Sequence, residues 1–193
     1  MIIGITGGTG SGKTTLLSLL QEYGFTVLDC DEIYHRLLDT DKELLAAIEQ
    51  RFPGTVENGV LRRKKLGALV FTDEAALADL NRITHARVKA EVMRLLDCAN
   101  GNVAIDAIGL FESGLNKLCK LTIAVSAPEE IRIKRLMSRD NIKEEYARKR
   151  VLAQRSAEEF GRVCDYTLTN DSTPQVFREK CLAFLVQQGI INL

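Results

Sequence analysis

An apolar run at the start of the chain leads straight into Gly7-Gly8-Thr9-Gly10-Ser11-Gly12-Lys13-Thr14, a feature that leaves little choice of fold. The spacing G-x-x-x-x-G-K-[ST] is that of a phosphate-cradling loop, or P-loop. Its glycines let backbone N–H groups crowd around an anion without Cβ clashes. Ile2, Ile3 and Ile5 around Gly4 read as a buried strand. Thr14 to Tyr23 reads as a helix with Leu16, Leu17, Leu19 and Leu20 on its core side, and Gly24 as its stop. A helix N-terminus carries partial positive charge, so the loop and helix start present Gly8, Thr9, Gly10, Ser11, Gly12, Lys13, Thr14 and Thr15 to a triphosphate. In that geometry Lys13 reaches the β/γ-phosphates and the Thr14 hydroxyl ligates Mg²⁺.

The 193 residues suit one α/β domain, with room for a small inserted subdomain. Basic and acidic residues balance at 26 each, which argues against a dedicated nucleic-acid binder. Cys30, Cys98, Cys119, Cys164 and Cys181 form no C-x-x-C pair, so reduced thiols in the cytoplasm are expected rather than a zinc site. The first strand starts at residue 1 or 2, so no signal peptide is expected. No apolar run approaches the ~20 residues that span a membrane. The chain is expected to be a monomer or weak homo-oligomer.

Five apolar runs read as strands: 1–6, 25–28, 102–106, 121–125 and 166–169. Helical patterns between them predict a five-stranded parallel sheet flanked by helices. Ligands of such sheets bind at the carboxyl ends of the strands. The candidate positions are therefore the P-loop, Asp29 and Asp31, Asp106 onward, Ser126 with Ala127, and Asn170. Residues 32–100 are too long for a single crossover and predict a helical insert, with turns at Pro53-Gly54 and Asn58-Gly59. Within it Thr72 or Asp73 caps a helix running to about Asp97, with Leu77, Leu80, Thr84, Val88, Val92 and Leu95 as its apolar stripe.

If the chain is still extended at Asp29-Cys30-Asp31, both carboxylates project on one face. One of them near a γ-phosphate accepts a proton from an attacking hydroxyl; alternatively, Asp31 N-caps a helix starting at Glu32. Asp106 ends its strand where a P-loop places a Mg²⁺-side carboxylate, here acting through water. His85 lies one position past the apolar stripe and reads by default as a structural histidine. Between Arg132 and Arg155 nine basic side chains face three acidic ones. Arg132, Arg135 and Arg139 share a helical face, and Asp140-Asn141 breaks it before a second helix carrying Arg148, Arg150 and Gln154. Such a pair forms a lid over about 132–155, closing guanidinium groups on phosphates, with Arg139 nearest the turn. Asn170 follows the last strand and borders the adenine in this architecture. Asp106-Ala107-Ile108-Gly109 and Asn116-Lys117-Leu118-Cys119 imitate GTPase motifs, but Cys119 replaces the base-reading carboxylate and Asn116 precedes a strand.

This ordered set of residues resembles the dephospho-CoA kinase family along nearly the whole chain. Residues 4–15 look like its G-L-T-G-G-I-G-S-G-K-S-T opening. Asp29-Cys30-Asp31 resembles its D-A-D, whose second aspartate, here Asp31, is regarded as the catalytic base. Residues 58–66 with Val70-Phe71 resemble its D-G-x-L-D-R-x-x-L…V-F, and Ile83-Thr84-His85 its I-x-H-P. Leu110-Phe111-Glu112 matches its L-F-E, Arg135 with Arg139-Asp140, Arg150 and Gln154 its lid, and Asp165-Tyr166 to Asn170 its A-D-y-x-I-x-N. Among the departures, Arg132 stands where a glutamine is common and Arg62 at the aspartate of L-D-R. The resemblance implies a single P-loop kinase domain with a helical acceptor-binding insert and a small lid. It implies ATP-dependent phosphorylation of the ribose 3′-hydroxyl of dephospho-CoA, with Mg²⁺. Asp31, Lys13 and Arg139 would be catalytic; Arg135, Arg139 and Asn170 would join the P-loop on ATP; and Thr6, Asp31, Arg63, His85 and Glu112 would meet the acceptor. The alternatives are another small-molecule or nucleoside monophosphate kinase, or an ATP-binding regulatory module without turnover.

Overall fold

In the computed structural model, which describes residues 1–192, the chain divides into two compact units. The first contains residues 1–28, 99–110 and 115–192 and carries the main sheet. Its strands are β1 (Ile2–Thr6), β2 (Thr26–Asp29), β5 (Val103–Asp106), β6 (Leu121–Ser126) and β7 (Tyr166–Thr169). They lie in the order β2-β5-β1-β6-β7 as a parallel sheet, with β1 in the middle. Ile2 pairs with Val103 on one side of β1, and Ile3 with Leu121 on the other. A strand covered on both faces reads as a continuous apolar run, as β1 does. Gly4 within it leaves no space for a side chain, because a Cβ would meet Leu110 Cδ2 at 2.8 Å and Cys119 Sγ at 2.9 Å.

Helices α1 (Lys13–Glu22) and α9 (Pro174–Gln187) pack against each other. Leu16, Leu19 and Leu20 of α1 and Phe177, Cys181 and Leu185 of α9 are fully buried with Ile3, Ile5, Ile123 and Val125. Thr173 caps α9 by accepting from Val176 N–H, and Pro174 occupies its first position, where a missing N–H costs nothing. Helices α6 (Glu129–Asp140) and α7 (Glu144–Leu152) form a hairpin around Ile133, Leu136, Ala147 and Val151. The break falls at Asn141, which adopts a left-handed conformation at φ 51°. Helix α8 (Ala157–Val163) opens with a Ser156/Glu159 capping box and packs on β6 and β7.

The second unit comprises residues 29–98 and 111–114. Helices α2 (Cys30–Thr40), α3 (Lys42–Arg51) and α4 (Arg63–Val70) all pack on the 25-residue α5 (Glu74–Cys98). Asp73 accepts from the N–H groups of Ala75 and Ala76 at the start of α5. The buried stripe of α5 is Ala76, Leu80, Thr84, Val88 and Val92. Leu77, expected in it, is 37% exposed: a strict four-residue spacing puts Ala76 inward and turns its neighbour out. The segment also holds a small hairpin of β3 (Val56–Glu57) and β4 (Val60–Leu61). Asn58 and Gly59 turn it, at φ 53° and 75°, the left-handed pair that a two-residue type I′ loop requires. No helix among the described residues is long and apolar enough to cross a membrane.

Candidate active site

The nucleotide-side candidates lie within the first unit. The loop between β1 and α1 turns on Gly7, Gly10 and Gly12, with φ of 137°, 77° and 95°. Protein neighbours also crowd Gly7, Gly8 and Gly12. A Cβ on Gly7 would strike the Val125 carbonyl, one on Gly8 the Arg132 guanidinium, and one on Gly12 the Asn170 amide. Lys13 and Thr14 open α1, so their N–H groups belong to the first turn, which no helical carbonyl satisfies. Lys13 Nζ donates to Gly7 O at 3.0 Å and lies 4.0 Å from Asp106 Oδ1. Thr14 is exposed, while Ser11 Oγ is buried without a hydrogen-bond partner among the described residues.

Four side chains from outside the loop bind its backbone. Arg135 Nη1 donates to the carbonyls of Gly10 and Ser11, both at 3.2 Å, and its Nη2 donates to Asn170 Oδ1. Asn170, 4% exposed, donates Nδ2–H to Ser11 O at 2.9 Å. Arg132 donates Nε–H to Thr9 O at 2.9 Å. Gln154 Oε1 accepts from Thr9 N–H and from Arg132 Nη2. Burial pushes both guanidinium groups below the ordinary arginine value, and for Arg132 the Glu129 charge opposes the shift.

The other arginines of the α6–α7 hairpin are paired with carboxylates of its own two helices. Arg139 Nε and Nη2 and Arg150 Nη1 all converge on Asp140. Hydrogen bonds from both arginines hold the Asp140 carboxyl down to about 2. Arg148 donates to Glu129, Glu130 and Glu144. Glu129 and Glu130 lie just ahead of the stretch whose basic excess stands out in the sequence, so part of that excess is neutralised from α6 itself.

The acceptor-side candidates, except Thr6, belong to the second unit. Asp29, not Asp31, caps α2: its Oδ1 accepts from Asp31 and Glu32 N–H at 2.8 and 3.1 Å. The helix therefore begins at Cys30, and the extended dipeptide that would align the two carboxylates is not formed. With Asp29 engaged in the cap, Asp31 stands in the first turn with its side chain 81% exposed. His35 Nε2 lies 3.7 Å from Asp31 Oδ2, one turn on. Burial raises the Tyr34 hydroxyl above its ordinary value; the Arg63 charge opposes this and the Asp31 charge adds to it. Arg63 Nη2 also donates to Asp39 Oδ1 at 3.1 Å. His85 is half-buried and senses the charge of the exposed Glu112. Thr6 sits in the first unit, fully buried, its hydroxyl donating to Ile108 O at 3.2 Å.

Sequence reasoning left Tyr34 out of the site, and placed Arg132 and Gln154 on the expected lid helices without naming either as a contact. A signal for Arg132 was present: it shares the helical face of Arg135. For a metal, the donor set is sparse. Among the described residues no group of three or more His, Cys, Asp or Glu side chains is placed to hold an ion. An exposed Thr14 hydroxyl and the Asp106 carboxylate beside Lys13 suit a Mg²⁺ that arrives with a nucleotide and keeps most of its ligands on phosphate and water.

A family model described as Dephospho-CoA kinase matches residues 1–175. The chain is 39% identical over 192 residues to the dephospho-CoA kinase of Deinococcus radiodurans, covering 97% of this chain and 92% of that one. It is 35% identical over 181 residues to that of Corynebacterium diphtheriae, covering 91% and 90%. Among solved structures, TT1252 from Thermus thermophilus superposes with a TM-score of 0.83 at 33% identity, over 97% of both chains.

Proposed function

The chain belongs to the dephospho-CoA kinase family, and from that premise we propose how its residues divide the work of moving the γ-phosphoryl group of ATP to dephospho-CoA. The reaction is an ATP-dependent phosphorylation, the last step of coenzyme A synthesis. The attacking group is the ribose 3′-hydroxyl. Its oxygen forms the new bond to the γ-phosphorus, the bond to the β-phosphate bridging oxygen breaks, and ADP leaves. Asp31 takes the hydroxyl proton; its exposure, with Asp29 already serving as cap, supports that choice. Arg63, His85 and Glu112 receive the acceptor.

The P-loop amides and Lys13 hold the β- and γ-phosphates and stabilise the charge that spreads over the transferring group. Lys13 carries this reading, because its ammonium lies 3.0 Å from the Gly7 carbonyl of the loop and 4.0 Å from the Asp106 carboxylate at the end of β5. Thr14 and Asp106 are the residues to hold Mg²⁺, which neutralises charge on the phosphate oxygens when bound. Arg135 and Asn170 complete the nucleotide side. Arg139, with Arg148 and Arg150, exchanges its acidic partners for phosphate and excludes water on closure. We place the enzyme in the cytoplasm, in keeping with five cysteines that are all unbridged.

The test is ADP release from Mg·ATP with and without dephospho-CoA, with the CoA product identified by mass spectrometry. ADP should match CoA one for one. Lys13→Ala should lower turnover by roughly 10²–10³-fold or more. Near-normal turnover in that variant would remove Lys13 from the mechanism.

A further inference from the structure

The phosphoryl-transfer scheme leaves one buried cation without a task. Arg132, on α6, is 7% exposed. Its guanidinium occupies the space a side chain on Gly8 would need, and its own backbone lies against Gly10, where a Cβ would come 2.8 Å from Arg132 O. Its hydrogen bonds run to a peptide carbonyl and a side-chain amide rather than to a carboxylate. Glu129, whose charge it senses, accepts a hydrogen bond from Arg148. Withdrawing a guanidinium from water is costly, and two neutral acceptors offset that cost less well than a carboxylate would.

What is held is a single residue of the P-loop. Arg132 Nε–H reaches Thr9 O at 2.9 Å, Thr9 N–H reaches Gln154 Oε1 at 2.7 Å, and Arg132 Nη2–H reaches the same Oε1 at 2.9 Å. These three bonds close a ring that grips Thr9 by both its donor and its acceptor. The members come from the loop, from α6 and from the segment just after α7. Thr9 lies between Gly7-Gly8 and Gly10, where the backbone is least constrained by its own side chains. A planar guanidinium, with donors in a fixed fork, suits the fixing of such a peptide.

We propose that Arg132 and Gln154 are positioning residues for the nucleotide: by gripping Thr9 they hold residues 8–12 in their phosphate-binding curve before ATP arrives, and tie that curve to the α6–α7 hairpin. The role rests on the P-loop being the ATP site. A preorganised loop loses less conformational freedom on binding, so the grip acts on affinity for the triphosphate rather than on the chemical step. Breaking the ring at either member frees the same peptide, so the two losses do not add.

The test compares Arg132→Met, Gln154→Ala and the double variant, with Mg·ATP and dephospho-CoA titrated separately by calorimetry and kinetics. Each single variant should raise the ATP Kd and KM by about tenfold, and the double variant little further. Turnover at saturating ATP and the KM for dephospho-CoA should stay within about threefold. In the nucleotide-free protein, hydrogen exchange of the peptide containing Thr9 should quicken in Gln154→Ala. Unchanged ATP affinity and exchange in Gln154→Ala would overturn the proposal, as would fully additive losses or a fall in turnover with affinity kept. Should Arg132→Met fail to fold, Gln154→Ala decides alone, since its amide stands at the outer corner of the ring. A wild-type protein that binds no Mg·ATP would count against the kinase reading instead, and exchange at Thr9 would still report on the grip.

Discussion

At the scale of single residues, environment decides what a side chain can do. Burial pushes the His85 imidazole below its ordinary 6.5, and the Glu112 charge opposes the shift. A histidine with a depressed folded value contributes its full share of stability above 6.5 and loses it as pH falls through the lower folded value. The urea midpoint should therefore hold steady from pH 8 to about 6.5 and decline below it. His85→Gln should flatten that decline, and an unchanged slope would assign it to other groups. The P-loop residues were legible in the sequence because that motif encodes its own local geometry. Asp31 was legible as a candidate, but its relation to Asp29 was not, since one residue decides which carboxylate caps. Arg132 read as part of a basic face because its burial depends on Thr9, 123 positions away.

At the scale of elements, α3 shows how a cap can staple a layer. Asp41 Oδ1 accepts from Glu43 and Leu44 N–H, while its Oδ2 receives Nε and Nη2 of Arg87 from α5. Its side chain is only 9% exposed. Asp41→Ala removes a cap and strips Arg87 of its fork partner, which should cost about 2–3 kcal/mol in urea unfolding. Asp41→Asn keeps the cap and should cost roughly half as much; equal losses would show that the cap contributes nothing. The five strands of the main sheet were readable to within a residue or two, because continuous apolar runs mark buried parallel strands. The β3–β4 hairpin was readable only through its turn, because two-residue strands are too short to show alternation. The α6–α7 hairpin was visible in its helical faces and its Asn141 break, but the pairing of Arg148 with Glu129 and Glu130 depends on folding α7 against α6.

At the scale of the whole molecule, the order of strands in space departs from their order along the chain. The second unit is nearly continuous in sequence, drawing on residues 29–98 and a four-residue return. The central strand of the first unit is made first and completed late: Ile2 waits for Val103, and Ile3 for Leu121. Contacts at such separations form slowly, because the loop between them must close before it is rewarded. In pulse-labelled refolding, amides of α2, α3 and α5 should gain protection before those of β1; simultaneous protection would mean that one nucleus serves both units. For a chain emerging from the ribosome, the consequence is a period of custody. The Ile-rich first strand and the glycine loop stay unpaired while more than a hundred residues follow, so the segment that defines the enzyme is also the one most exposed to aggregation and to chaperones during synthesis.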